Sequence, residues 1–489
     1  MDKKEIVLKL RKKILKDSVF KKVINKIVSY FPDSYLVGGF IRDIALNRDT
    51  RNLDIVAQFS NEKIQQFVSN IKGAKIFTLD ATRKIFRMII KNYNQTTAID
   101  FSFFDVDKIK DELANRDFTI NAIAVPIAML SKNYCEHLKI LDPFDGLRDL
   151  IEGKLRLVSD KALRDDPIRI LRAFRFKLSH KLLISEKLKQ RIKADSNRLR
   201  FVSGERIADE VLKIFSYNNI SSTLKEMQEL IVLKEVFPSI EDNVGLIQNG
   251  YHLEDVFGHL LKCIEKIEDI EKFIDLYFTD YKTQIFSHLS KPMQGEYERF
   301  TLLKLATFLH DISKSETRVV DSNGRIRFYN HQRVGAEKVE NICKNLKLSK
   351  KATNYLIKIV EKHMRIPNLL SLEKITDRAT YRLIREAGDE LIDLILLCYV
   401  DRVADPGSLI EMDFEKKMIK YLHNLLYLKE KIKKQTKKPL IRGDEIIEIF
   451  GLTPGPEIGG ILKLVEKERA LGNISTKNEA LKKIQERLK

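Results

Sequence analysis

A change of hydrophobic period near Leu157 constrains this chain more than any other feature. Before it, short apolar words such as Leu36-Val37, Asn52-Leu53-Asp54-Ile55-Val56 and Thr96-Thr97-Ala98-Ile99-Asp100-Phe101 stand between turn residues and read as strands. After Lys161, apolar residues recur three and four apart with few Gly or Pro breaks, which reads as helix nearly throughout. The pattern predicts an α+β chain, a mixed-sheet domain followed by an all-helical remainder. Its 489 residues leave room for several domains. They are expected as an N-terminal helix at 1–20, a sheet domain at 21–155, a helical neck at 156–240, a helical body at 241–428 and a tail domain at 429–489.

Ile6, Leu10, Ile14, Val19, Val23 and Ile27 recur at helical spacing with lysines between them, an amphipathic helix without the continuous apolar stretch of a secretion leader. The longest apolar run, Leu391 to Val400, is interrupted by Asp393 and too short to cross a bilayer, so it reads as a buried helix ahead of Asp401. No membrane association is expected. Cys135, Cys263, Cys343 and Cys398 lie far apart and form no paired metal spacing; they read as reduced thiols of a cytoplasmic protein. The 88 Lys and Arg exceed the 69 Asp and Glu, and a net charge of +19 suits a polyanionic partner. Without Trp, stacking on bases would fall to Tyr and Phe.

Gly38-Gly39, at the end of an apolar approach and followed by Phe40-Ile41-Arg42-Asp43, suggests a tight turn into a helix. Backbone amides free of side chains could approach a triphosphate there; a plain turn reads equally well from these residues alone. Period-two geometry puts Asn52 and Asp54 on one strand face, and Asp100 offers another carboxylate on a short apolar element. Carboxylate oxygens suit Mg²⁺. Taken singly, Asp54 and Asp100 also read as ordinary strand-end acids. Asp166 and Arg169 stand three apart, so on one helix they would share a face, either as a pair reading a base edge or as an intrahelical ion pair.

Further words follow: Arg116-Asp117-Phe118-Thr119-Ile120-Asn121-Ala122, Asp142-Pro143-Phe144-Asp145-Gly146-Leu147 and Arg164-Asp165-Asp166-Pro167-Ile168-Arg169-Ile170-Leu171-Arg172-Ala173-Phe174-Arg175. In this order they resemble the class II tRNA nucleotidyltransferase and poly(A) polymerase family, and Ser203-Gly204-Glu205-Arg206-Ile207 and the tail words Pro439 to Asp444 and Gly451 to Gly459 extend the resemblance. It implies a palm-type catalytic domain that adds C, and in full members A, to tRNA 3′ ends from CTP and ATP, with Mg²⁺. Asn52 and Asp54 fall where the family has its two metal-holding carboxylates, so the first acid is missing, and Asp100 falls at a third acid of the palm. Gly38, Gly39, Arg42, Arg116, Asp117 and Asn121 are implied to bind the nucleotide, and Asp166 and Arg169, assisted by Arg172 and Arg175, to select the base. Asp165 stands where the family template has Glu.

Only fifteen residues, Phe101 to Asn115, separate Asp100 from Arg116, where full CCA-adding members carry a longer basic loop. The short segment resembles members that add only the two cytidines, and some poly(A) polymerase relatives. Farther along, His252, His259, His310-Asp311, His331, His363 and Asp401 are imidazoles and carboxylates that could converge on a transition metal for phosphoester hydrolysis. The ordered set His259, His310-Asp311, Asp401 resembles an HD phosphohydrolase domain, with His331 and His363 at places of further ligands and Lys314 suited to a phosphate. A second divalent ion (Mn²⁺, Ni²⁺, Co²⁺ or Fe²⁺) is implied there. Two alternatives stay open: a poly(A) polymerase, and a degenerate transferase kept for RNA binding beside a working HD centre, which Asn52 keeps alive.

Overall fold

The computed structural model describes residues 3–82, 84–92, 95–104, 108–131, 140–248, 254–404, 412–437 and 439–488. The chain divides into two compact units, Met1–Glu210 with Glu229–Val236, and Val211–Gln228 with Phe237–Lys489. The residues expected as a neck, 156–240, are shared between the two.

The first unit holds the α+β part of the fold. Its six-stranded mixed sheet comprises β1 (Tyr35–Val37), β2 (Asn52–Ala57), β3 (Ala74–Asp80), β4 (Ile85–Asn92), β5 (Gln95–Phe103) and β6 (Ala124–Pro126), in the order β3-β4-β5-β2-β1-β6. Only β2 and β5 run parallel, and every other neighbour pair in this sheet is antiparallel. The register sets Asp54 beside Asp100 and Asp100 beside Arg87. Because side chains alternate along a strand, these polar residues share one face while Leu53, Ile55, Ile99 and Phe101 enter the core on the other. Phe101 meets Phe67 edge-on and Phe31 at a tilt within that core.

The amphipathic N-terminal stretch is two helices, Lys3–Lys16 and Ser18–Tyr30, where one was expected. Asp17 makes the break: its side chain accepts from Val19 N and Phe20 N as an N-cap, and Phe20, rather than Val19, is fully buried. The second helix runs across the expected domain boundary at residue 20. Beyond Leu157 the described residues are helical apart from loops and short strands: Leu183–Ile184, which pairs with Lys154–Leu155, and two hairpins in the second unit, Pro292–Gln294 with Tyr297–Glu298 and Arg318–Val320 with Ile326–Phe328.

In the second unit the apolar run forms the helix Leu391–Val403, and its interrupting acid is part of the core. Asp393, fully buried, accepts from His288 Nε2 at 2.8 Å, Arg299 Nε at 3.0 Å and Tyr355 OH at 2.9 Å. His288 and Arg299 hold its carboxyl below the usual range against the effect of burial. The tail closes over its own small core of Ile446, Ile458, Ile461, Val465 and Ile484. No helix among the described residues is long and apolar enough to cross a membrane.

Candidate functional site

At the edge of β1 the chain turns through Gly38, at φ 73°, into the helix Gly39–Ala45. A side chain at Gly38 would be strained by that φ, and its Cβ would stand 2.8 Å from Arg116 Nη1 and 2.9 Å from Asp54 Oδ2. The glycine therefore lets the turn sit directly against Asp54. This turn, the Asp54 face of the sheet and the Arg116 segment enclose a cavity of about 400 Å³. Asn52, Asp54 and Asp100 line it together, as strand alternation dictates. Burial raises the Asp54 carboxyl above the ordinary range, Asp100 adds to the effect, and Arg116 and the Gly39 N–H offset part of it. Arg87 donates to both oxygens of Asp100, at 2.8 Å each. Asp49 lies outside the cavity, exposed and bonded to Lys13, so it does not replace the missing acid.

The opposite wall is a chain of charge-assisted bonds. Arg172 donates to Asp117 Oδ2 through Nη2 at 2.6 Å and Nε at 3.0 Å; Asn121 Nδ2 donates to Asp117 Oδ1 at 2.9 Å; Arg42 Nη1 donates to Asn121 Oδ1 at 2.6 Å. Burial alone would raise the Asp117 carboxyl, but Arg172, Asn121 and the Phe118 N–H hold it down at about 2. The segment is itself pinned by the Asp142–Leu147 word. Asp142 accepts from Gly146 N and Leu147 N, and Gly146 lies so close to the Thr119 carbonyl that a Cβ would stand 2.1 Å from its oxygen. Arg175 donates to Glu210 at 2.6 Å, and the guanidiniums of Arg42 and Arg175 lie over the Phe176 ring.

Asp166 and Arg169 do not share a helix face. One helix ends at Asp165, Asp166 is extended at φ −149° and ψ 96°, and the next helix begins at Arg169. Pro167 is the cause: its ring excludes the helical conformation from the residue before it. Asp166 accepts from Arg206 Nη2 at 2.8 Å, while Arg169 donates to the carbonyls of Asn115, Arg116 and Ala162. Neither lines the cavity.

A second cavity, of about 570 Å³, lies in the second unit over a histidine cluster. His259 Nε2 stands 2.9 Å from Asp401 Oδ1; Asp311 directs Oδ2 to His310 Nε2 at 3.2 Å and Oδ1 to His331 Nε2 at 3.3 Å. His310, His331 and His363 each place Nδ1 against a backbone carbonyl, of Thr307, Phe328 and Val360, at 2.7–2.9 Å. A carbonyl only accepts, so each Nδ1 carries a proton and Nε2 is the nitrogen turned inward, the arrangement of metal-ligating histidines. The inward nitrogens of His331 and His363 are 3.1 Å apart, and two lone pairs at that distance need a shared cation or proton. His310 Nε2 is buried and aligned for no hydrogen bond. The donor set thus fits divalent metal. Lys314 lies 2.6 Å from Asp311 and accompanies His259, His331, His363 and Asp401 in the lining. His252 falls outside the described residues.

Three segments of the chain match family models, and His259, His310 and Asp311 lie outside all three. Residues 34–156 match the model of the Poly A polymerase head domain, 182–243 that of the "Probable RNA and SrmB- binding site of polymerase A", and 328–484 that of tRNA nucleotidyltransferase domain 2. The chain belongs to the tRNA nucleotidyltransferase and poly(A) polymerase family. It is 29% identical over 459 residues to the A-adding tRNA nucleotidyltransferase of Deinococcus radiodurans, covering 92% of this chain and 94% of that one. With the CC-adding tRNA nucleotidyltransferase of Thermus thermophilus it shares 24% identity over 455 residues, 92% of each chain. A CCA-adding enzyme in complex with CTP has the same fold at a TM-score of 0.65 and 20% identity, over 100% of this chain and 99% of that one. The Thermotoga maritima CCA-adding enzyme complexed with tRNA matches at 0.64 and 22%, over 99% and 98%.

Of the residues that the family words single out in the first unit, Gly38, Gly39, Arg42, Asn52, Asp54, Asp100, Arg116, Asp117, Asn121, Arg172 and Arg175 all line one cavity. Sequence reasoning missed Arg87, Asp43, Thr50 and Phe176 there. Arg87 had a signal: it is the lone charge in the apolar run Ile85 to Ile90, on the face that the register turns toward Asp100. In the histidine cluster it missed Cys263, which stands four residues after His259 on one helix.

Proposed function

We propose that the chain extends tRNA 3′ ends without a template, joining CMP or AMP from CTP or ATP and releasing pyrophosphate. The observation that carries this reading is the row Asp54, Asp100, Arg87 on one sheet face, opposite the Gly38 turn and the Arg42–Asn121–Asp117–Arg172 chain. In the transfer, the tRNA hydroxyl oxygen bonds to the α-phosphorus, its proton leaves, and the bond to the β-phosphate oxygen breaks. The Gly38 turn gives phosphate oxygens a close approach that any side chain would block. Arg42, Arg172 and Arg175 keep donors beyond those they spend on Asn121, Asp117 and Glu210, since each guanidinium has five, and they set a positive field against the triphosphate. Asp54, Asp100 and the Asn52 carbonyl form an all-oxygen donor set suited to Mg²⁺. When bound, that ion would ease deprotonation of the attacking hydroxyl and neutralise charge on the leaving pyrophosphate.

The short segment after Asp100 favours cytidine addition, whereas 29% identity to an A-adding enzyme against 24% to a CC-adding one favours the terminal adenosine. Purified protein incubated with tRNA ending before CCA, after C and after CC, each with labelled CTP or ATP, separates these outcomes. A product longer than the completed terminus would mark a poly(A) polymerase, and no product on any substrate would overturn the reading.

A second activity is favoured by the histidine cluster, in which the Nε2 atoms of His310, His331 and His363 lie 3.2, 3.3 and 3.7 Å from Asp311 oxygens. It is the centre of an HD-type metal-dependent phosphohydrolase, with Lys314 holding the substrate phosphate. Hydrolysis of 2′,3′-cyclic nucleotides assayed with Mn²⁺, Ni²⁺, Co²⁺ and Mg²⁺ tests it. No bound metal and no hydrolysis with any of these ions would reduce the cluster to a scaffold.

A further inference from the structure

The histidine cluster divides into two ligand sets. Asp311, His331 and His363 form one; His259, Cys263, His310 and Asp401 form the other, and within each set the ligating atoms lie within 4.8 Å of one another. The second contains a thiol. Cys263 is fully buried, and its Sγ lies 3.4 Å from His259 Nε2. The spacing arises from sequence: His259 and Cys263 are four apart on the helix Val256–Glu268, so both side chains leave the same face, one turn apart.

We infer that Cys263 is a metal ligand, completing a His259, Cys263, His310, Asp401 site that takes a thiophilic divalent ion such as Zn²⁺, Co²⁺ or Fe²⁺ in preference to Mg²⁺. This rests on the metal-centre reading above and specifies one half of that centre. Metal–sulfur bonds of about 2.3 Å and metal–nitrogen bonds of about 2.0 Å at a tetrahedral angle put sulfur and nitrogen about 3.5 Å apart. The 3.4 Å separation is already that of two ligands on one ion. His259 Nε2 and Asp401 Oδ1 are 2.9 Å apart and His310 Nε2 and Asp401 Oδ1 3.3 Å, so the oxygen faces the same point as the two nitrogens. Charge agrees with geometry. A thiolate and a carboxylate neutralise a divalent ion in a buried place, which one carboxylate with two neutral imidazoles does not. The Asp311, His331, His363 set carries no sulfur, so the two sets differ in softness. Cys398 lines the cavity over the cluster but belongs to neither set.

Binding balances as loss of the thiol proton: the S–H bond breaks, an S–metal bond forms, and one proton enters solution for each ion taken up. The test uses the full chain, stripped with a chelator and titrated with Co²⁺ alone. The expected result is a near-ultraviolet sulfur-to-cobalt charge-transfer band in the wild type and in Cys398→Ser. Cys263→Ser should lose that band, bind Co²⁺ more weakly and release one proton fewer. Co²⁺ bound without the band in the wild type, or a band that survives in Cys263→Ser, overturns the assignment of Cys263 and leaves the metal-centre reading standing. Absence of Co²⁺ binding in the wild type overturns both. If Cys263→Ser does not fold, as judged by circular dichroism, X-ray absorption of the wild-type cobalt protein decides alone: a sulfur neighbour at about 2.3 Å supports the assignment, and a nitrogen and oxygen shell without sulfur overturns it.

Discussion

Asn52 is the residue on which the strength of the transferase site turns. It lies two residues before Asp54 on β2, lines the same cavity, and offers a neutral carbonyl oxygen where a carboxylate would add charge. Beside Arg87, which already occupies both oxygens of Asp100, the site is short of negative charge for a divalent ion. Asn52→Asp should therefore lower the Mg²⁺ concentration giving half-maximal nucleotide addition by roughly tenfold, the lower end of the range over which a metal site's surroundings tune its affinity. Unchanged rate and Mg²⁺ dependence would place the metal elsewhere. Asp117 carries a different prediction. Its carboxyl is held at about 2, against about 3.9 in an unfolded chain, so folding favours the ionised form. The resulting stability, about 2 to 3 kcal/mol, is fully present above about pH 5 and is lost as pH falls through about 3.9 towards 2. Urea unfolding of the wild type and Asp117→Asn should differ by about that amount at pH 7 and converge only as pH falls to about 2 and below; a gap independent of pH would assign the cost to packing alone.

At the scale of elements, the break at Asp166-Pro167 decides what Arg169 does. With Asp166 extended and the following helix starting at Arg169, the guanidinium points to the carbonyls of Asn115, Arg116 and Ala162 and fastens the helix Arg169–His180 to the Arg116 segment. Arg169→Ala should then lower stability by about 2 kcal/mol, the scale of a lost charged hydrogen bond, and slow addition of CMP and AMP alike. Calorimetry and single-turnover assays with each nucleotide check this, and a selective loss of discrimination with unchanged stability would show the arginine reaching the base. Pro167 makes the break legible in the amino-acid order itself, as Asp17-Ser18 does for the split of the N-terminal helix. The catalytic face is legible for another reason. Period-two alternation fixes which residues of β2 share a side whatever they pair with, but the pairing of Asp54 with Asp100, and of Asp100 with Arg87, is set by sheet order, which local sequence does not carry. The hairpin Arg318–Val320 with Ile326–Phe328 is readable too: Asn323-Gly324 stands between two apolar words, and Phe328 lines the second cavity. Cys263 is not, because a helical i, i+4 relation to His259 gives a ligand only once distant Asp401 and His310 arrive.

For the whole molecule, the two chemical centres lie in different compact units, each built from its own side chains. Each should fail alone. Asp54→Ala removes one of two carboxylates from the sheet face, so nucleotide addition should fall by at least a hundredfold, about 2.7 kcal/mol in transition-state stabilisation, while Co²⁺ uptake by the histidine cluster stays unchanged. The converse variant needs more care. Asp311 is buried among His310, His331 and Lys314, and together they hold its carboxyl well below the usual range despite burial. Its removal leaves the buried Lys314 ammonium without its 2.6 Å partner, at a cost of about 3 kcal/mol to the second unit. Asp311→Asn keeps the volume and one acceptor oxygen and is the gentler probe. It should lose metal uptake at the Asp311, His331, His363 set and any cyclic-nucleotide hydrolysis, while the first unit continues to add nucleotides to a short tRNA substrate with Mg²⁺. Loss of both activities in Asp311→Asn, with the fold intact by circular dichroism, would show that the two centres depend on one another.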